Sequence, residues 1–138
     1  MGLIYLDSCL VIYLLEWHPS FGPRVAAALA ANSGTEFASS PLALMECLVK
    51  PMADGDRLGE ARYRDFFGSL VMLGLDVVVF EQAARLRAAR AGLRTPDAIH
   101  LAAARQHGCQ ALWTGDDRLV AASDGFVVNV TAPPVARQ

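Results

Sequence analysis

Short segments of strand length alternate with longer helical stretches along most of the chain. The strand candidates lie at residues 3–6, 36–39, 77–80, 111–114 and 126–130. The helical candidates lie at residues 8–16, 21–32, 41 onward, 57–70, 81–91, 95–108 and 116–122. Because strands that alternate with helices pair in parallel and are covered on both faces, this order predicts an α/β fold. We expect a three-layer α/β/α sandwich with a mostly parallel central sheet, formed as a single domain by residues 1–138.

Local signals mark several element boundaries. Thr95-Pro96-Asp97 is a strong helix start, since a capping hydroxyl is followed by a proline at the first helical position and an acid in the first turn. Asp54-Gly55-Asp56 predicts a loop, and the β-branched run Val77-Val78-Val79-Phe80 predicts a strand. The last residues, 131–138, contain two prolines and are expected to form an edge or a loose tail.

Composition narrows the class of protein. Hydrophobic residues make up 54% and charged residues 19%, which is too apolar for a disordered chain, and a net charge of −2 gives no sign of a broadly cationic nucleic-acid-binding face. Three cysteines without C-x-x-C spacing argue against a disulfide framework and favour the cytoplasm. The N-terminus lacks the basic region of a signal peptide, and no apolar run of about 18 residues predicts a membrane span.

Four acidic residues fall at strand ends or within apolar helical segments: Asp7, Glu46, Asp97 and Asp116. Because the carboxyl ends of parallel strands share one edge of a sheet, we expect these side chains to converge there. Carboxylates that converge without basic partners repel one another, and a divalent cation relieves that repulsion. Oxygen ligands favour Mg²⁺ or Mn²⁺, and such an ion activates water for attack on a phosphodiester.

Each acid also has an explanation that needs no function. Asp7, Asp116 and the adjacent Asp117 are suited to cap the helices that follow them. Asp97 is electrostatically favourable in a first helical turn, and Glu46 can face solvent.

The segments around these acids are specific in combination. The chain has Asp7-Ser8 after an apolar strand, Glu46 on a helix, Thr95-Pro96-Asp97-Ala98-Ile99-His100-Leu101-Ala102-Ala103 at a helix start, and Thr114-Gly115-Asp116 after a strand. Over nearly the whole chain, this set resembles the PIN-domain ribonucleases, and within them the VapC toxins of type II toxin–antitoxin modules.

The resemblance implies that the four acids form the metal site and carry catalysis: Asp7, Glu46, Asp97 and Asp116. It implies that Ser8 and Thr114 help to orient the site, and it leaves the role of Asp117 open. It also implies an RNA substrate, a homodimer, and a cognate antitoxin protein whose C-terminal segment occupies the groove. Cys9 and Leu119 depart from the family pattern, which affects the shape of the site but removes no ligand.

Basic side chains are further candidates. Arginine accounts for 11 of the 12 Lys and Arg residues, and its guanidinium suits bidentate contact with phosphate. Arg87, Arg90 and Arg94 have the spacing of one helical face, which would contact RNA phosphates or an acidic antitoxin segment, or would simply be solvated. His100 is either a general acid or a helix-packing residue.

Two other functions stay open at this point. A catalytically silent PIN-like binding module would keep the shape and act through partners alone. A Rossmann-like phosphatase would use Asp7 as its nucleophile, although Cys9 stands where dehalogenase-type phosphatases need a second acid. A metal titration with a thermal-stability readout distinguishes true ligation from these alternatives, since an ion bound to the folded state raises its stability.

Overall fold

The computed structural model of the protein describes residues 2–133, which form five strands and seven helices. The strands are β1 (Leu3–Leu6), β2 (Glu36–Ser39), β3 (Val71–Met72), β4 (Ala111–Thr114) and β5 (Val127–Asn129). The helices are α1 (Ser8–Leu15), α2 (Phe21–Ala31), α3 (Pro41–Ala53), α4 (Arg57–Gly68), α5 (Val77–Ala89), α6 (Thr95–Gln106) and α7 (Asp117–Ala121). Most of the predicted tail, residues 134–138, lies outside the described residues.

The strands form one sheet in the order β3-β2-β1-β4-β5, and every pairing is parallel. The two central strands are in a register that pairs Leu6 with Trp113. Asp7 therefore leaves β1 at the edge where Thr114 ends β4, as the order of elements predicted. This carboxyl edge is where side chains from different parts of the sequence meet.

Helices cover both faces of the sheet, which confirms the predicted three-layer sandwich. Along β1, Tyr5 points into one apolar core, whereas Ile4 and Leu6 point into the other. The first core is closed mainly by α5, α6 and α7, and the second by α1 to α4. Both layers are needed because a sheet of short apolar strands has no face suited to water.

The predicted strand at residues 77–80 is wrong, because these residues form the first turn of α5. The carboxylate of Asp76 caps this helix by accepting a hydrogen bond from the Val79 amide (3.1 Å). Only Val79 of the run is fully buried, while Val77 and Phe80 are exposed. Packing of α5 along α6 therefore overrides the β-propensity of the sequence, and the strand of this region is the shorter β3.

Helix α6 begins where the Thr95-Pro96-Asp97 motif predicts a helix, but Thr95 does not cap it. Arg94 occupies the capping position, and the Thr95 hydroxyl accepts a hydrogen bond from Arg87 (2.8 Å). From Ala98 to Ala104 every residue of α6 is buried, with four alanines that let the helix lie close to its neighbours. Among the described residues, no helix is both long and apolar enough to cross a membrane.

Candidate functional site

Asp7 is fixed at the carboxyl edge by the last residues of β4 and by the neighbouring Ser8. Its amide donates to the Trp113 carbonyl (3.0 Å), and its Oδ2 accepts a hydrogen bond from the Thr114 hydroxyl (2.8 Å). The Ser8 hydroxyl lies 3.4 Å from Oδ1. Asp7 occupies the position before α1, but its side chain makes no capping bond. The capping explanation therefore does not account for the largely buried carboxylate of Asp7. Its hydrogen-bond partners orient it toward the site instead.

Glu46 and His100 bring a second carboxylate and an imidazole to Asp7. Glu46 extends from α3 and His100 from α6, and Glu46 Oε1 lies 2.6 Å from His100 Nε2. The same nitrogen lies 3.7 Å from Asp7 Oδ1. One ligand atom from each of the three residues lies within 4.8 Å of the others, so three separate elements converge on one small volume.

A chain of buried hydrogen bonds supports the imidazole from behind. Tyr5 Oη lies 2.6 Å from His100 Nδ1 and 2.7 Å from the Ser40 hydroxyl. Burial raises the pKa of Tyr5 well above its usual range, so the phenol keeps its proton. Because Nε2 faces two carboxylates, it carries a hydrogen and donates to Glu46, while Nδ1 is the atom that faces the phenol. His100 is thus held in place by β1 and in turn holds Glu46.

The immediate surroundings set the ionisation of Glu46 and Cys9. Burial raises the pKa of Glu46, but the hydrogen bond and charge of His100, helped by Ser8 and Arg94, bring it below its ordinary value. Burial and then the charge of Asp7 raise the pKa of the Cys9 thiol to about 12. Glu46 is therefore an anion at neutral pH, and Cys9 is a neutral thiol rather than a nucleophile.

Asp97 and Asp116 are held by arginines instead. Arg94 donates from Nε to Asp97 Oδ2 (3.0 Å), and its Nη2 lies 3.6 Å from Asp116 Oδ2. Arg118 donates two hydrogen bonds to Asp116, from Nε to Oδ1 (3.3 Å) and from Nη2 to Oδ2 (3.1 Å). The Arg118 side chain, by hydrogen bonding and charge, lowers the pKa of Asp116 below its ordinary value. The premise that the acids lack basic partners is therefore wrong for this pair.

Thr114 links the two pairs of acids. Its hydroxyl donates to Asp7 Oδ2 and accepts from the backbone amide of Asp116 (3.1 Å). Asp116 also caps α7 by accepting a hydrogen bond from the Arg118 amide (2.9 Å), so the structural explanation holds for this residue alongside any chemical one. Asp117 turns away, since its Oδ1 accepts a hydrogen bond from Asn129 (2.8 Å).

The other arginine candidates lie on no common helical face. Arg87 is in the last turn of α5, Arg90 follows that helix, and Arg94 precedes α6. Arg87 donates to the Leu93 carbonyl and Arg90 to the Ala121 carbonyl, so both are tied to nearby backbone. Their contact with RNA or an antitoxin stays a prediction.

Sequence reasoning missed the roles of His100 and Arg118. The signal for His100 is a single polar residue within a wholly apolar helical run, which requires a buried partner. Arg118 follows Asp116 by two residues, but this short spacing gives no indication of a bidentate contact.

The family model described as PIN domain matches residues 4–124. The chain belongs to the PIN domain family. Helix α6 and the acids at the carboxyl edge all fall within the matched range. No curated protein matches this PIN-domain chain by sequence at a significant level.

Solved structures share the whole fold. A chain from a toxin–antitoxin complex of Klebsiella pneumoniae is 25% identical, with a TM-score of 0.76 over 92% of this chain and 97% of that one. A chain of DNA-bound VapBC from Salmonella typhimurium gives 0.76 at 19% identity, over 94% of this chain and 99% of that one. Mycobacterium tuberculosis VapC20, described as a toxin that cleaves the sarcin–ricin loop, gives 0.72 at 19% identity, over 90% and 96%. At identities of 19%, the likeness concerns the fold alone.

Proposed function

We propose that this PIN-domain protein is an Mg²⁺- or Mn²⁺-dependent endoribonuclease and the toxin of a toxin–antitoxin pair. The observation that carries the proposal is the convergence of Asp7, Glu46 and His100 at the carboxyl edge of the sheet. The named functions of the structural neighbours, toxin–antitoxin complexes and one toxin that cleaves RNA of the sarcin–ricin loop, support the same conclusion.

The donor chemistry fits a divalent cation. Asp7 and Glu46 present carboxylate oxygens close together, and hard ions such as Mg²⁺ prefer oxygen ligands. Asp7 and Glu46 would hold the ion together with Asp97 and Asp116, whose carboxylates would then give up their contacts with Arg94 and Arg118. A bound ion would supply an activated water and stabilise negative charge on the leaving oxygen.

The remaining groups orient these acids. The hydroxyls of Thr114 and Ser8 hold Asp7, and His100 holds Glu46 through a 2.6 Å hydrogen bond. Partners of this kind fix the orientation of a ligand and tune its affinity for a metal. Glu46, which is ionised at neutral pH, is also able to accept a proton from a water molecule beside it.

The proposal includes partners. We infer that an antitoxin protein binds over the acidic edge, that the protein forms a homodimer, and that it acts in the cytoplasm, where its RNA substrate lies. A small reading frame adjacent to this one should encode a protein with a DNA-binding N-terminus. Co-purification of the two proteins, with light scattering of this chain alone, tests both the complex and the dimer.

Cleavage of total RNA by the purified protein tests the activity directly. We expect cleavage with Mg²⁺ or Mn²⁺ and none with excess EDTA, since hydrolysis depends on the ion. Asp7→Asn should abolish cleavage. Asp65→Asn, the same chemical change at an exposed position of α4, is the matched control and should cleave as wild type.

The same experiment separates the competing functions. Cleavage that persists in EDTA would remove the metal mechanism. Absence of cleavage together with a rise in melting temperature on adding Mg²⁺ would leave a metal site without nuclease activity. Absence of both would favour a binding module that acts through partners alone.

A further inference from the structure

Three arginines surround a cavity that adjoins the acidic edge but is separate from the Asp7–Glu46–His100 cluster. The cavity has a volume of about 280 Å³ and lies between α7 and the connection from α5 to α6. Its walls include Arg90, Arg94 and Arg118, and Leu93 and Leu119 form apolar parts of its lining. We call this feature the arginine cavity.

Short contacts anchor each guanidinium at the wall. Arg90 donates to the Ala121 carbonyl (2.8 Å), Arg94 to Asp97 (3.0 Å), and Arg118 to Asp116. Asp97 lines the cavity with the three arginines, whereas Asp116 contacts two of them without lining it, so these five groups together carry a surplus of one positive charge. Each guanidinium has five N–H groups, and within residues 2–133 Arg90 and Arg94 use only one of theirs for a hydrogen bond.

This chemistry suits a phosphate group. A guanidinium binds phosphate oxygens with two parallel hydrogen bonds, and several N–H donors remain available around the cavity. Asp97 forms part of the cavity wall and belongs to the proposed cleavage site as well. A strand bound for cleavage at that site carries further phosphates on either side of the bond that is cut, and the shared residue Asp97 puts the cavity next to that site.

We propose that the arginine cavity binds the RNA substrate at a phosphodiester group adjacent to the phosphodiester that is cleaved. The proposal rests on the ribonuclease function above and identifies where that substrate is held. Arg94 and Arg118 have two sets of partners, because the acids that they now contact are also the proposed metal ligands. If Asp97 and Asp116 held a cation, Arg94 and Arg118 would be free to bind phosphate, so cation and RNA would strengthen each other's binding.

Binding of a fluorescein-labelled, short single-stranded RNA of mixed sequence tests the proposal. Anisotropy is measured over a series of NaCl concentrations with Ca²⁺, an ion that binds carboxylate oxygens with a different coordination geometry from Mg²⁺. Arg90→Gln is the most informative variant, since Arg90 contacts a backbone carbonyl and neither acid. Arg118→Gln is the second. Arg64→Gln is the matched control, because Arg64 pairs with Glu60 on α4, away from the cavity.

We expect Arg90→Gln and Arg118→Gln each to weaken binding several-fold and to reduce the salt slope by about 0.7, the value for one phosphate of a single strand that is no longer neutralised. Arg64→Gln should match wild type in both respects. Wild-type affinity and slope in both cavity variants would overturn the phosphate site while leaving the ribonuclease proposal intact. A wild-type protein that binds no RNA would overturn both. Competition by poly-L-glutamate that equals competition by unlabelled RNA would assign the cavity to an acidic protein segment instead.

Discussion

The site has two halves that hold their carboxylates by different means. In the inner half, Asp7 and Glu46 are held by hydroxyls and by the fully buried imidazole of His100. In the outer half, Asp97 and Asp116 are held by Arg94 and Arg118, whose side chains are 60% and 74% exposed. The first arrangement depends on the protein core, and the second depends on solvated surface side chains.

This difference indicates separate tasks for the two halves. A buried hydrogen-bonded network is rigid, and it fixes the inner acids in one geometry. Exposed ion pairs contribute little to stability and exchange readily, so the outer acids are able to change partners. We infer that the inner half sets the geometry of the site, whereas the outer half responds to what binds.

Removing the support of the inner half should have the largest effect. His100→Leu removes the imidazole partner of Glu46 and one of the two buried hydrogen-bond partners of Tyr5, so we expect the free energy of unfolding to fall by about 1–3 kcal/mol. Affinity for Mg²⁺ and the rate of RNA cleavage should fall by about 10- to 100-fold. Urea unfolding, metal titration by melting temperature, and cleavage assays measure the three quantities.

Two variants sharpen the interpretation of His100→Leu. His100→Gln keeps a donor close to the position of Nε2 and should restore a large part of the metal affinity. His107→Gln is the control, because His107 is exposed and its side chain has the Gly74 carbonyl as its one hydrogen-bond partner among the described residues. Equal metal affinity in His100→Leu and wild type would show that the imidazole has a packing role alone.

Asp116→Ala should destabilise the metal-free protein. If the four acids only repelled one another, losing one of them would leave stability unchanged or raise it. Asp116 instead caps α7 and contacts two arginines, so we expect a loss of about 1 kcal/mol. Urea unfolding of the metal-free variant measures this change. A more stable variant would show that repulsion between the acids dominates in the outer half.

The positions of the acids could be predicted from the sequence, but their partners could not. Asp7 and Asp116 follow apolar strands, and the carboxyl edge of a parallel sheet brings such residues together whatever the details. The contact between Tyr5 and His100 joins residues 95 apart and depends on how closely α6 lies on the sheet. The helix that begins at Val77 likewise results from packing against α6, and the β-propensity of the local sequence gives no information about that packing.

The pKa of Glu46 separates the electrostatic effect of the imidazole from the effect of burial. In wild type its pKa lies below the ordinary value, so the stability that this carboxylate contributes is present above the ordinary pKa and is lost as pH falls through the lowered one. In His100→Gln a neutral amide replaces the imidazole and burial remains, so the pKa of Glu46 should rise. Carbon-13 NMR titration of the side-chain carboxyl in the metal-free protein measures it. An unchanged pKa would mean that hydrogen bonding and Arg94, rather than the electrostatic effect of the imidazole, determine the ionisation.

The smallest effect that we expect is a difference between the two halves in how far salt shifts the pKa of their carboxyl groups. The pKa of Asp116 is lowered mainly by an exposed guanidinium, and dissolved ions screen exposed charges more than buried ones. Raising NaCl should therefore move the pKa of Asp116 upward toward its ordinary value, while that of Glu46 moves less, because its main partner His100 is 1% exposed. The same carboxyl titration at low and high salt measures both residues in one sample, and Arg118→Gln should remove most of the salt response of Asp116. Equal salt responses of the two carboxyls would show that both halves are equally open to solvent, and the division of the site into a rigid part and a responsive part would then be wrong.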